Sequence, residues 1–84
     1  MIVTVTAEWK SIYTLSGVAV GTPLLLQNQG VNNVFAIEAS TSPENGVIDG
    51  IRIEVGEEWR IANGSDDIFV RVSKGTSSVF VGEL

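Results

Sequence analysis

Carboxylates are the most abundant charged groups in this chain: ten Asp and Glu stand against five Lys and Arg, with neither histidine nor cysteine. Two adjacent pairs, Asp66-Asp67 and Glu57-Glu58, have the composition of an acid/base couple or a calcium site. Both fall at strand entries in turn-forming stretches, and neither has the D-x-D-x-D-G spacing of a calcium loop, so they read as solvated turns. Serine and threonine are plentiful, but without histidine no general base of the usual kind activates them. A Ser-Lys arrangement needs a desolvated lysine, and Lys10 and Lys74 sit among polar neighbours. Gly17, Gly21 and Gly30 lack the GxGxxG spacing of a phosphate cradle, and no helix is expected after them. The chain therefore reads as a non-enzyme with no cofactor and no metal.

The aromatic residues carry more information. They are Trp9, Tyr13, Phe35, Trp59, Phe69 and Phe80. Strand phase assigns Phe35 and Trp59 to the core. Trp9 or Tyr13, beside Asn32, Asn33 and the loop from Ser40 to Gly46, would make a stacking platform for a glycan, with a flat ring flanked by amide hydrogen-bonding groups. Phe69 and Phe80 lie out of phase with the aliphatic residues of their own strands. Water contact at both would forgo about 1.5–3 kcal/mol of burial apiece. A subunit interface formed by Phe69, Phe80 and Arg71 is the expected cover, and a charged residue at Phe69 would then dissociate it.

These residues are expected on short strands. In Asp67–Glu83, Ile68, Val70 and Val72 alternate to one face, as do Val79 and Val81, which is the period of half-buried strands. A two-residue turn at Lys74-Gly75 closes them into a terminal hairpin with Phe69 across from Phe80; a three-residue turn shifts the register by one. Upstream, Ile2–Thr6 reads as an edge strand, Trp9–Leu15 as a second strand, and SGVAVGTP as a loop or a short irregular strand. Leu24–Gln29 and Val34–Ser40 follow as strands, then the turn-rich STSPENG. Ile51–Val55 and Trp59–Ala62 are expected to form another hairpin, with Val55 against Trp59, Ile53 against Ile61 and Glu54 opposite Arg60. Asn63-Gly64-Ser65 matches a glycosylation pattern and reads as a turn. No stretch has a helical apolar period over 11 or more positions.

About eight short antiparallel strands in 84 residues imply an all-β domain over residues 1–84, a small β-sandwich or jelly-roll-like barrel. A chain this short buries only about 60% of its unfolded surface. Without cysteine or histidine, self-association is the supplement left to it. The net charge is −5 and the pI near 4.4. With the basic residues scattered, that excludes nucleic-acid binding. No apolar run approaches the ~20 residues of a membrane helix. MIVTVTAEW lacks the basic-then-apolar order of a secretory signal, so a soluble cytoplasmic product is expected.

The order of segments from residue 24 onward resembles the small all-β virion proteins of tailed bacteriophages. The residues that carry the likeness are Leu26, Asn28 and Gly30 in an LxNxG strand end; then Gly50, Ile51, Ile53, Gly56 and Glu57; and finally Val70, Val72, Val79, Val81 and Glu83. The resemblance implies a sandwich-type fold and a structural role in a particle, as capsid decoration or tail-associated protein. It also implies homo-oligomers, other virion proteins as partners, and no shared catalytic residues. A glycan-binding adhesion module is the alternative, and an inhibitor of a host enzyme a third reading.

Overall fold

The computed structural model describes residues 1–44 and 50–84. It contains eight strands: β1 (Ile2–Val5), β2 (Lys10–Ser11), β3 (Leu24–Asn28), β4 (Val34–Glu38), β5 (Ile51–Ile53), β6 (Glu58–Ile61), β7 (Ile68–Val72) and β8 (Ser77–Glu83), with one helix, α1 (Ile12–Ser16), after β2. They form two four-stranded sheets, sheet A in the order β1-β8-β3-β6 and sheet B in the order β2-β7-β4-β5, with every pairing antiparallel. Bent double at its middle, the chain pairs β1 with β8, β2 with β7, β3 with β6 and β4 with β5. Rolling that long ribbon adds β3 to β8 and β4 to β7. The result is a small all-β sandwich with jelly-roll strand order.

Alternation sorts the side chains as the strand period demands. Val3, Val5, Leu24, Leu26, Ile61, Val79 and Val81 of sheet A meet Val34, Ala36, Ile53, Ile68, Val70 and Val72 of sheet B in one core. Trp59 packs against that core, as its phase requires. Phe35 does not: Val34 and Ala36 are the buried residues of β4, and Phe35 is half-buried on the outer face. The expectation of a core role for Phe35 is overturned because its strand hides the smaller residues inside, where the sheets approach.

Both expected hairpins are absent. β7 and β8 lie in opposite sheets, so Phe69 stands across from Ile37 and Ser11, and Phe80 across from Ile2 and Gln27. β5 and β6 are likewise divided, and Arg52 Nη2 meets Glu54 Oε1 of its own segment at 3.3 Å in place of a Glu54–Arg60 pair. Each turn carries the chain across the sandwich. Of the expected strand Trp9–Leu15, only two residues are extended. Ser11 Oγ accepts from Thr14 N at 3.2 Å and Gly17 closes the far end in a left-handed conformation (φ 76°), so a single capped turn of helix forms between them. At five residues it is too short to show an apolar period. The Asn45-Gly46 part of the polar loop after β4 lies outside the described residues.

One buried amide ties the two sheets at the end where β3 finishes. Asn28 occupies the inward phase of Leu24 and Leu26 and is fully buried. Its Nδ2 donates to Asn32 O (2.8 Å) and to Ile53 O of sheet B (2.9 Å). Its Oδ1 accepts from Gly30 N (3.1 Å) and from Ser77 Oγ of β8 (2.9 Å). Both donors and both acceptor sites are therefore engaged. Gly30 is the companion requirement, because a Cβ there would come within 2.0 Å of Ser77 Oγ and 2.4 Å of Ser78 N. Asn28→Ala is expected to lower stability by about 3–5 kcal/mol, at roughly 1 kcal/mol for each lost bond plus the groups left unpaired. Against the ~4–12 kcal/mol available to a domain of this size, the denaturant midpoint should fall by about a quarter or more; a shift within a few per cent would mean the network is dispensable.

Candidate functional site on the outer sheet faces

With the interior filled, the side chains free to act lie on the two outer faces. On sheet B the register aligns Arg71 of β7, Phe35 of β4 and Arg52 of β5 in one row, and Phe69 with Ile37 in the next. The Arg71 guanidinium lies over the Trp9 ring, 5.7 Å from its centroid, close enough for a cation–π attraction. Its Nε donates to Val72 O at 3.3 Å. Trp9 (5% exposed), Phe69 (8%) and Arg71 (8%) are thus buried within the chain. Phe69 and Arg71 are not part of a bare surface awaiting a subunit.

The glycan platform is not assembled either. Tyr13 is 2% exposed, held in the core by α1, and its hydroxyl donates to Thr22 O at 2.8 Å. Trp9 has its face against Arg71. Asn32 donates from Nδ2 to Thr76 O at 2.7 Å and Asn33 is exposed, both before β4, whereas Ser40 follows its far end. A five-residue strand spans about 17 Å, so one sugar ring cannot touch both. Neither ring offers a flat surface to a ligand.

Sheet A differs. Its outer row sets Ile2 across from Phe80, and Leu25 across from Gly82. A Cβ at Gly82 would lie 2.9 Å from Phe80 Cε2, which places the phenyl ring over the glycine backbone, beside the Leu25 position. Ile2 is 54% exposed, and Phe80 and Leu25 are half-buried. Around this patch stand Gln27, Glu58 and Arg60. Phe80 and Phe69 belong to opposite sheets, so they cannot share one contact surface as the expected hairpin required.

The acidic residues do not converge. Asp67 Oδ1 accepts from Ser11 Oγ (2.5 Å) and Ile68 N (2.8 Å), joining the start of α1 to β7, so it is a structural acceptor rather than only a solvated turn residue. Glu38 Oε2 accepts from Asp66 N, and Glu57 Oε1 from Glu54 N, each at 2.8 Å. Among the described residues no three acids gather as for a metal ion and no pocket opens. Nor, among the described residues, is any helix long and apolar enough to cross a membrane. The residue that inspection of types passed over is Asn28; its signal was an amide in the inward phase of a strand otherwise lined by leucines. Compared with protein-family models, curated proteins and solved structures, the chain finds no match in any of the three.

Burial, and after it the negative charge of Asp67, raises the Tyr13 pKa above the ordinary value of 10. The folded state then holds its phenolic proton where the unfolded chain has released it. Its contribution to stability is full below pH 10 and declines as pH rises from there through the raised pKa. As Tyr13 is the single tyrosine, phenolate absorbance should rise at higher pH in the native protein than in denaturant; coincident curves would contradict this. Phe69→Ala should cost about 3 kcal/mol of stability and leave the molar mass in light scattering unchanged, separating a residue that covers the fold from one that binds a neighbour.

Proposed function

We propose that this chain is a non-enzymatic structural protein of a bacteriophage virion, a capsid-decoration or tail-associated component. In this reading it assembles with copies of itself and with other virion proteins through the outer face of sheet A. The observation that carries the reading is the apolar patch on the outer face of sheet A, where Ile2 is exposed and Leu25 and Phe80 are half-buried; on sheet B Trp9, Phe69 and Arg71 are buried and Phe35 and Ile37 half-buried. Burying such side chains in a contact gains on the order of 1–2 kcal/mol each. The mechanism is adhesion and reinforcement without chemistry. A jelly roll is a scaffold that viral capsid domains use, and so do lectins and others, so the fold supports the role by analogy only. The charge of −5 keeps unassembled copies apart until the apolar contact forms.

Phe80→Glu tests this. It places a charge in the centre of the patch while leaving the core intact, so circular dichroism should keep its native form and the light-scattering mass should drop from a multiple of 9.0 kDa. A wild-type protein already at 9.0 kDa over the micromolar range, or a mass that the substitution does not change, would sink the reading.

A further inference from the structure

Four strands border their sheets: β1 and β6 in sheet A, β2 and β5 in sheet B. An open strand edge is a template for further pairing, and folded chains guard such edges with charge, shortness or proline. Three are guarded here. β6 carries Glu58 and Arg60; β2 is two residues long, holds Lys10 and runs into α1; β5 is three residues long and centred on Arg52. β1 is not. From Ile2 to Thr6 it reads IVTVT, with no charge and no proline.

The direction of its backbone groups follows from the ladder to β8. Met1 N donates to Val81 O at 3.1 Å, and Val81 N to Met1 O at 2.7 Å. In an antiparallel pair such exchanges recur at every second residue. Val3 and Val5 therefore also bond to β8, and Ile2 and Thr4 turn both N–H and C=O toward the open edge. The side chains of Ile2 and Thr4 are exposed as well, while Val3 and Val5 enter the core.

We infer that this edge receives β1 of a second copy, antiparallel, about a two-fold axis at Thr4. An added strand must oppose outward-pointing groups to outward-pointing groups and keep the core side on the core side. Thr4 against Thr4 meets both conditions at once: Ile2 falls opposite Thr6, and Val3 opposite Val5. A slip of one residue would turn the valines of one copy toward solvent. The Thr6 carbonyl accepts from Val72 N at 2.9 Å and keeps a second lone pair for the seam. Every residue along the seam is β-branched and uncharged, which suits cross-strand packing and keeps the acidic charge away from the contact. The two copies of sheet A become one continuous sheet carrying two Ile2–Leu25–Phe80 patches on one face. This deepens the assembly reading and rests on it.

Mass measurements by light scattering or sedimentation on a small set of variants test the edge and the face separately. Phe80→Glu removes the face contact but leaves the seam, so this variant should persist at twice 9.0 kDa. Adding Thr4→Pro deletes an N–H that the β8 ladder does not use, and the double variant should fall to 9.0 kDa with native circular dichroism. If Phe80→Glu alone is already a monomer, or the double variant stays paired, the β1 seam is overturned while the face reading stands. Monomeric wild-type protein overturns both. Because Thr4→Pro could weaken the fold, Thr4→Lys and Thr4→Glu, each in the Phe80→Glu background, provide an independent check. Each should be a monomer at low salt, since like charges meet across the axis, and an equal mixture should recover the dimer mass. A mixture that remains monomeric would also overturn the two-fold at Thr4.

Discussion

A jelly roll has few local ties between its two sheets, and here the amide of Asn28 supplies the one on which the rest depends. β3 belongs to sheet A and Ile53 to sheet B, and the Nδ2 bond between them crosses the interior. The same side chain holds the loop between β3 and β4 through Asn32 O and Gly30 N, and anchors the start of β8 through Ser77. Its backbone joins in, accepting from Gly56 N and donating to Glu57 O, so the turn between β5 and β6 is fixed as well. An apolar residue at this position would add to the core but leave three chain reversals without a common anchor. Burying one polar group is tolerated because all of its hydrogen-bonding capacity is met.

The positions of the strands and the faces of most of them were legible in the sequence because both depend on a period of two that runs along a single strand. The pairing was not. Val70 and Val79 share an inward phase, and so do Ile53 and Ile61, whether the turn between them folds back in one sheet or arches to the other. Hairpin and arch place the same residues in the same core. What separates them is the non-local competition for edges: β8 pairs with β1 and β3, and β7 with β2 and β4, leaving neither free for the other. That competition involves partners about 30 or more residues apart and leaves no mark in the turn itself. The LxNxG stretch shows the opposite case. Its three residues have local physical reasons (a core leucine, a saturated amide, a glycine under Ser77), and those reasons hold whatever family the chain belongs to.

Aromatic residues misled for a related reason. Phase tells which side of a sheet a ring occupies, but not whether that side is wet. Phe69 is on the outer side and still only 8% exposed, and the same face buries Arg71 against the Trp9 ring. Phe35 was placed inside on strand phase, yet the inward phase of β4 belongs to Val34 and Ala36. Tyr13 is hidden by a helical turn that depends on Ser11 and Gly17, a capping pair six residues apart and shorter than any window that seeks an apolar period. The surplus of apolar surface argued from chain length is thus largely absorbed within the domain.

What remains after that absorption is unevenly distributed, and the unevenness is the argument for function. Sheet B guards both borders and buries Trp9 and Phe69 on its outer side, leaving Phe35 half-buried. Sheet A guards β6 with charge but leaves β1 without any, and sets Ile2 beside Phe80 over the bare backbone of Gly82. A chain selected only to remain a soluble monomer could have placed a lysine at Thr4 or Ile2 at little cost, since both side chains are exposed and outside the core. Concentrating the unguarded edge and the uncovered patch on the same sheet makes them one continuous surface, with the edge giving direction and register and the patch giving area. Neither alone would fix how two copies meet. Together they specify an orientation, which a structural protein needs if it is to repeat over a particle.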